Sequence, residues 1–174
     1  MKFQLTRAER DAVFSLAAKL DNFSRPLDSG LKVAFTGEKI FRFEQGDLRR
    51  EVKFNYTQDP DAQALLDWFE RMTETSMHVI TLERAMRFDR LGLDKALLQL
   101  QISADKNRLA GASQLLPMLD RIAKNQSTFN RVRERAAALR LGAGIGDLGR
   151  PFVGVPIAAG VLIGAVDGAQ HGIV

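Results

Sequence analysis

Six basic side chains fall within one stretch of twenty residues: Arg121, Lys124, Arg131, Arg133, Arg135 and Arg140, offset only by Glu134. Cations grouped in this way can hold phosphates, either those of a nucleic acid or those of lipid head groups. Phe129 stands alone among them, without the interleaved aromatics on which single-stranded bases stack. The plainer account is a solvated helix face, because Ile122, Val132, Ala136 and Leu139 can turn inward. Histidine chemistry is sparse. His78 and His171 lie 93 residues apart, with no carboxylates at ligand spacing. There is no cysteine, which excludes disulfides, thiolate metal sites and cysteine nucleophiles. No metal or cofactor is called for.

Glycine is the other pattern with chemical content. Gly144, Gly146 and Gly149 match G-x-G-x-x-G by letters, but a dinucleotide loop must join a strand to a helix. The stretch before it, Arg133 to Leu141, reads as helix and Pro151 follows, so a flexible joint is the better description. Beyond it, Gly160, Gly164, Gly168 and Gly172 recur every four residues in an apolar tail. If 157–173 is helical, this spacing makes a bare stripe against which another backbone can pack closely. Leu162 and Ile163 belong to an apolar surround that covers more than one side. A solitary surface helix would not carry that surround, so the arm must pack against something. Residues 151–166 give 16 uncharged, mostly apolar positions, short of the roughly 20 needed to span a bilayer. The occupants open to the arm are its own domain, other subunits of a homo- or hetero-oligomer, and a membrane.

The elements that would position these residues start with Thr6-Arg7-Ala8-Glu9, a capping box opening a helix that ends near Asn22. Three strands follow at about 31–36, 39–45 and 48–55, joined by Gly37-Glu38 and Gly46-Asp47, pairs suited to type II′ turns. Two-residue loops place Phe35 opposite Ile40, Ala34 opposite Phe41, Arg42 opposite Glu51 and Glu44 opposite Arg49. Ala34, Phe41, Phe43, Val52 and Phe54 then share the oily face. Asp59-Pro60 caps and opens a helix running to about Arg90, with a fourth strand at Met77–Ile80 as the alternative. Trp68 reads as a core or interface anchor. Further helices cover 94–109 and 114–140, the second kinked or split at Gln126-Ser127-Thr128.

The order helix, three antiparallel strands, helix, with Glu51-Val52-Lys53 on the third strand, resembles the core of the PD-(D/E)xK nucleases over about residues 5–80. The resemblance implies a metal-dependent nuclease in which Glu51, Lys53 and an upstream acid bind a metal and activate water. Asp28 lies in a loop before the first strand and Asp47 in a turn, while the strand register pairs Glu51 with Arg42.

These readings give an α+β chain, predominantly helical. It has a small three-stranded antiparallel sheet near the N-terminus and a C-terminal apolar glycine-rich arm. The body covers 1–141, the glycine hinge 142–150 and the arm 151–174. The N-terminal residues lack the apolar run of a secretory signal, so cytoplasmic synthesis is expected. The leading functional expectation is a non-enzymatic structural or assembly protein. Its arm locks onto partner subunits or a membrane-embedded complex, as in a virion or a secretion or envelope machine. A nucleic-acid-binding protein using the basic 121–140 helix is the alternative, and a metal-dependent nuclease the second.

Overall fold

The computed structural model describes residues 3–35 and 37–142, together with the backbone of 160–166. It is mostly helical, with one small antiparallel hairpin. In chain order the elements are α1 (Arg7–Lys19), β1 (Glu38–Gln45), β2 (Leu48–Phe54), α2 (Pro60–Phe88), α3 (Leu93–Asp105), α4 (Leu116–Lys124) and α5 (Asn130–Gly142). The chain divides into two compact units, one of Met1–Arg10 with Trp68–Phe152, the other of Asp11–Asp67 with Val153–Val174.

In the unit around the hairpin, β1 pairs with β2 in the expected register, Arg42 opposite Glu51 and Glu44 opposite Arg49. Gly46 has φ 56° and Asp47 does not share the positive sign, as a type II′ turn requires. Phe41, Phe43, Val52 and Phe54 are buried, and the Phe41 ring lies 5.3 Å from Phe23 and 5.0 Å from Phe54. Asp59 caps α2, accepting from the N–H groups of Asp61 at 2.9 Å and Ala62 at 3.2 Å. Arg25 donates to the same side chain at 2.5 Å and holds its carboxyl below the usual range, assisted by those backbone bonds against the opposing effect of burial.

The strand expected at 31–36 does not form. Residues 31–35 are irregular, and Leu31, Val33 and Phe35 are exposed. The edge of β1 away from β2 is therefore not covered by this segment. The backbone of Gly160–Val166 (β3) runs antiparallel along it, with Arg42 opposite Leu162 and Phe41 opposite Ile163. Over 160–166 the backbone is extended, which places Gly160 and Gly164 in a strand. Gly168, Gly172, His171, the glycines 144, 146 and 149 and most of the expected 142–150 hinge lie outside the described residues.

The other unit is built on α2 to α5. The capping box is formed: Thr6 donates its N–H to Glu9 at 2.9 Å, and Glu9 returns its own N–H to the Thr6 hydroxyl at 3.3 Å. The long-helix reading of 60–88 holds, and Met77–Ile80 is helical. Leu82, Leu97, Leu100, Leu115, Leu119 and Ile122 form the middle of a continuous aliphatic core. α3 stops at Asp105, earlier than expected, because Asn107 turns left-handed (φ 54°) and Arg108 N–H folds back to the Ser103 carbonyl at 2.8 Å. The expected 114–140 helix is two helices. Asn125 leaves the helical region (ψ 103°), and its side-chain oxygen accepts the Ser127 N–H at 3.0 Å, an alternative to the helical bond.

Candidate functional site

α2 and α3 leave a groove of about 550 Å3 between them, lined among others by Met77, Thr81 and Ala85 from α2 and by Ala96, Gln99 and Ser103 from α3. Two physical features coincide there. One end holds a polar cluster, and large apolar side chains of α2, Met77 of the lining among them, stand in solvent.

Glu74 and His78 stand four apart on α2, which puts both on one face. The buried Ser103 hydroxyl reaches both, at 2.7 Å to Glu74 Oε1 and 2.9 Å to His78 Nε2. Arg108 Nε donates to the other Glu74 oxygen at 3.1 Å. Burial raises the Glu74 carboxyl, but hydrogen bonds from Ser103 and Arg108, with the charges of Arg108 and His78, outweigh it and leave it below the ordinary value. Burial lowers the His78 ring, and the nearby Glu74 charge only partly opposes this. The hydroxyl proton of Ser103 is committed to Glu74. His78 must therefore donate its Nε2–H to the serine oxygen, instead of accepting from it. A serine nucleophile needs the reverse order, with the imidazole as base and the carboxylate behind it. The cluster fastens α3 to α2 and leaves the hydroxyl unactivated.

Apolar exposure is the second feature. Met77 (59% exposed), Ile80 (51%) and Phe88 (81%) project from α2, and Leu91 follows at 79%. Met77, Arg84 and Phe88 are spaced by seven and four residues, a single stripe along the helix. Leu98 and Ile102, four apart on α3, are exposed as well. Leu65, Phe69, Met72, Val79, Leu82 and Met86 recur at helical spacing along α2. Met77, Ile80 and Phe88 are surplus to that stripe, and this surplus was the readable signal of an outward apolar face. The Glu74–His78 spacing was readable too, but nothing in the sequence brought Ser103 to it.

The six basic residues do not form one face. Asn125 separates Arg121 and Lys124 on α4 from the four arginines on α5. Arg131 pairs with Asp94 at 2.9 Å, and Arg135 binds both the carboxylate and the carbonyl of Asp94. Arg140 pairs with Asp120 at 2.7 Å, Arg133 donates to Gln126 at 2.7 Å, and Arg121 lies against the Met86 sulfur at 3.8 Å. Three of the six are thus ion-paired within the chain, two of them to the one carboxylate of Asp94. Trp68 carries the Arg71 guanidinium over its ring at 4.9 Å.

The acids of the nuclease resemblance are also committed. Glu51 accepts two bonds from Arg42, at 2.6 and 2.9 Å. Asp28 accepts the N–H groups of Gly30 at 2.9 Å and Asn55 at 3.0 Å, which hold its carboxyl below the usual value. Among the described residues no three His, Asp or Glu side chains gather as metal ligands, and no helix is long and apolar enough to cross a membrane. No protein family, curated protein or solved structure matches the chain.

Proposed function

We propose that this protein is a non-enzymatic assembly subunit that docks a partner protein in the groove between α2 and α3. The observation that carries the reading is the row of exposed large apolar side chains, Met77, Ile80, Phe88 and Leu91, beside a mostly apolar channel. Single exposed apolar residues need no explanation, whereas several along one helix and just past its end mark a surface that is covered in use. Burying Phe88 and Met77 would contribute about 1.5–3 kcal/mol each, sufficient to anchor an interface. The polar cluster supports this role by fixing the spacing of the two helices that form the channel.

The arm takes a smaller part in this reading than the sequence suggested. As a third strand on β1, Gly160–Val166 would close an edge that could otherwise pair with other chains. Nucleic acid is a weaker partner, because Arg131, Arg135 and Arg140 are already ion-paired and the six cations do not share one face.

Native complex size tests the proposal. In extracts of the source cell, the wild-type chain elutes well above its own 19.3 kDa, and Met77→Asp/Phe88→Asp elutes as a monomer with unchanged circular dichroism. A wild-type monomer, or a variant in complexes of the same size, overturns it.

A further inference from the structure

The groove carries charge as well as apolar surface. Arg84 and Lys95 line it from opposite helices, and neither has a carboxylate partner among the described residues. The acids nearby are already engaged. Glu74 is held by Ser103 and Arg108, Asp89 accepts the Gly92 N–H at 2.8 Å, and Asp94 is clamped by Arg131 and Arg135. Arg87 and Arg90, beside the same helix junction, are likewise without a carboxylate partner among the described residues. The α2–α3 junction is therefore a positive end to a channel whose walls are mostly apolar.

The walls suggest the shape of the occupant. Ala85 and Ala96 line the channel from either side with short side chains, which admit a helix at ordinary packing distance, about 8–10 Å between axes. From Gly92 to Ser103, α3 offers about 16 Å of length, or three helical turns. A nucleic-acid backbone would leave Met77 and Phe88 in water. An amphipathic helix covers them and brings charge to the cations at the same time.

We propose that the partner segment is an amphipathic α-helix of at least three turns, whose apolar face covers Met77 and Phe88 and whose acidic residues meet Arg84 and Lys95. This rests on the docking reading above and names the chemistry of its ligand. Complementary charge selects the partner and its direction in the groove more than it sets affinity.

The test uses the full chain and two fluorescein-labelled synthetic peptides of about 16 residues, enough for four turns. One is a Leu/Glu amphipathic helix, and the other is its twin with every Glu replaced by Lys. Fluorescence anisotropy at low salt should show the Glu peptide binding and the twin about tenfold weaker or worse. Arg84→Glu/Lys95→Glu should reverse that preference. Excess duplex DNA should not displace the Glu peptide; displacement would overturn the helical partner in favour of nucleic acid. Equal binding of both peptides, lost together in Met77→Asp/Phe88→Asp, overturns the acidic partner and leaves the docking groove standing. No binding of either peptide overturns both.

Discussion

The Glu9 carboxylate accepts the backbone N–H of Gly111 at 2.7 Å, joining positions 102 residues apart. The preceding amide, Ala110, donates to the fully buried Thr75 hydroxyl at 3.1 Å. Two consecutive buried N–H groups are thus satisfied by side chains from two different helices, and the residue between α3 and α4 is fixed in place. Glu9→Ala leaves the Gly111 amide unpaired and should cost about 1–3 kcal/mol in urea unfolding, with Glu9→Gln losing less. Gly111→Ala should cost more than about 1 kcal/mol. Its φ is +66°, and a Cβ there would lie 2.3 Å from the Phe3 ring. Adding Phe3→Ala should recover only the steric part. Wild-type urea midpoints for Glu9→Ala and Gly111→Ala would refute this clasp.

After α1, Asp21, Asn22 and Phe23 all have positive φ (53°, 49° and 64°). Three such L-residues in succession are strained, and the 3% exposure of Phe23 shows what holds them: a buried ring against Phe41. Asn22→Gly relieves one strained position and loses no buried side chain. It should raise stability by up to about 1 kcal/mol, reduced by the added freedom of the unfolded chain. Thermal unfolding measures the sign, and a loss of more than about 1 kcal/mol would contradict the strain.

Local signals in the sequence described local structure well. Thr6 and Glu9 announced α1, Asp59-Pro60 announced α2, and Gly46-Asp47 set the register that brings Arg42 to Glu51. Each outcome depends on residues within about ten positions of one another. One failure is local, the early stop of α3 at the left-handed Asn107, while those that bear on the site are non-local. Leu31 to Phe35 has the composition of a strand, but it stays irregular and exposed. The four-residue glycine period suited a helix, whereas the backbone of 160–166 is extended. Ser103 could not be joined to Glu74 and His78 without knowing that α3 packs on α2. Arg131, Arg135 and Arg140 looked free because their partners, Asp94 and Asp120, are distant in sequence or on another helix.

His78 predicts a pH dependence of defined sign. Its ring titrates below the ordinary 6.5 because burial disfavours the charged form. Between that lowered value and 6.5 the unfolded chain binds more protons than the folded one, so stability rises with pH across the interval and falls toward acid. Glu74, lowered from 4.5, adds a second loss as pH falls below that value. In urea titrations His78→Gln should flatten the upper interval and leave the lower one. An unchanged slope just below 6.5 in the variant would show that His78 is not its source.

Asp94→Ala should release Arg131 and Arg135 together. The Arg131 side chain is 73% exposed, so its pair contributes little, and most of the expected loss of about 1–2 kcal/mol comes from the half-buried Arg135 bonds. The variant should also bind heparin more tightly than wild type, with a steeper salt dependence. Equal salt elution of the two proteins would mean that Asp94 does not mask these arginines.

Docking in the α2–α3 groove is tested most directly by site-specific photo-crosslinking in the source cell, with benzoylphenylalanine placed in turn at Met77, Phe88 and the exposed control position Lys32. The account predicts the same discrete protein adduct from Met77 and Phe88, none from Lys32, and its disappearance when Ile80→Asp is added. No adduct from either groove position, or one equally strong from Lys32, would contradict it.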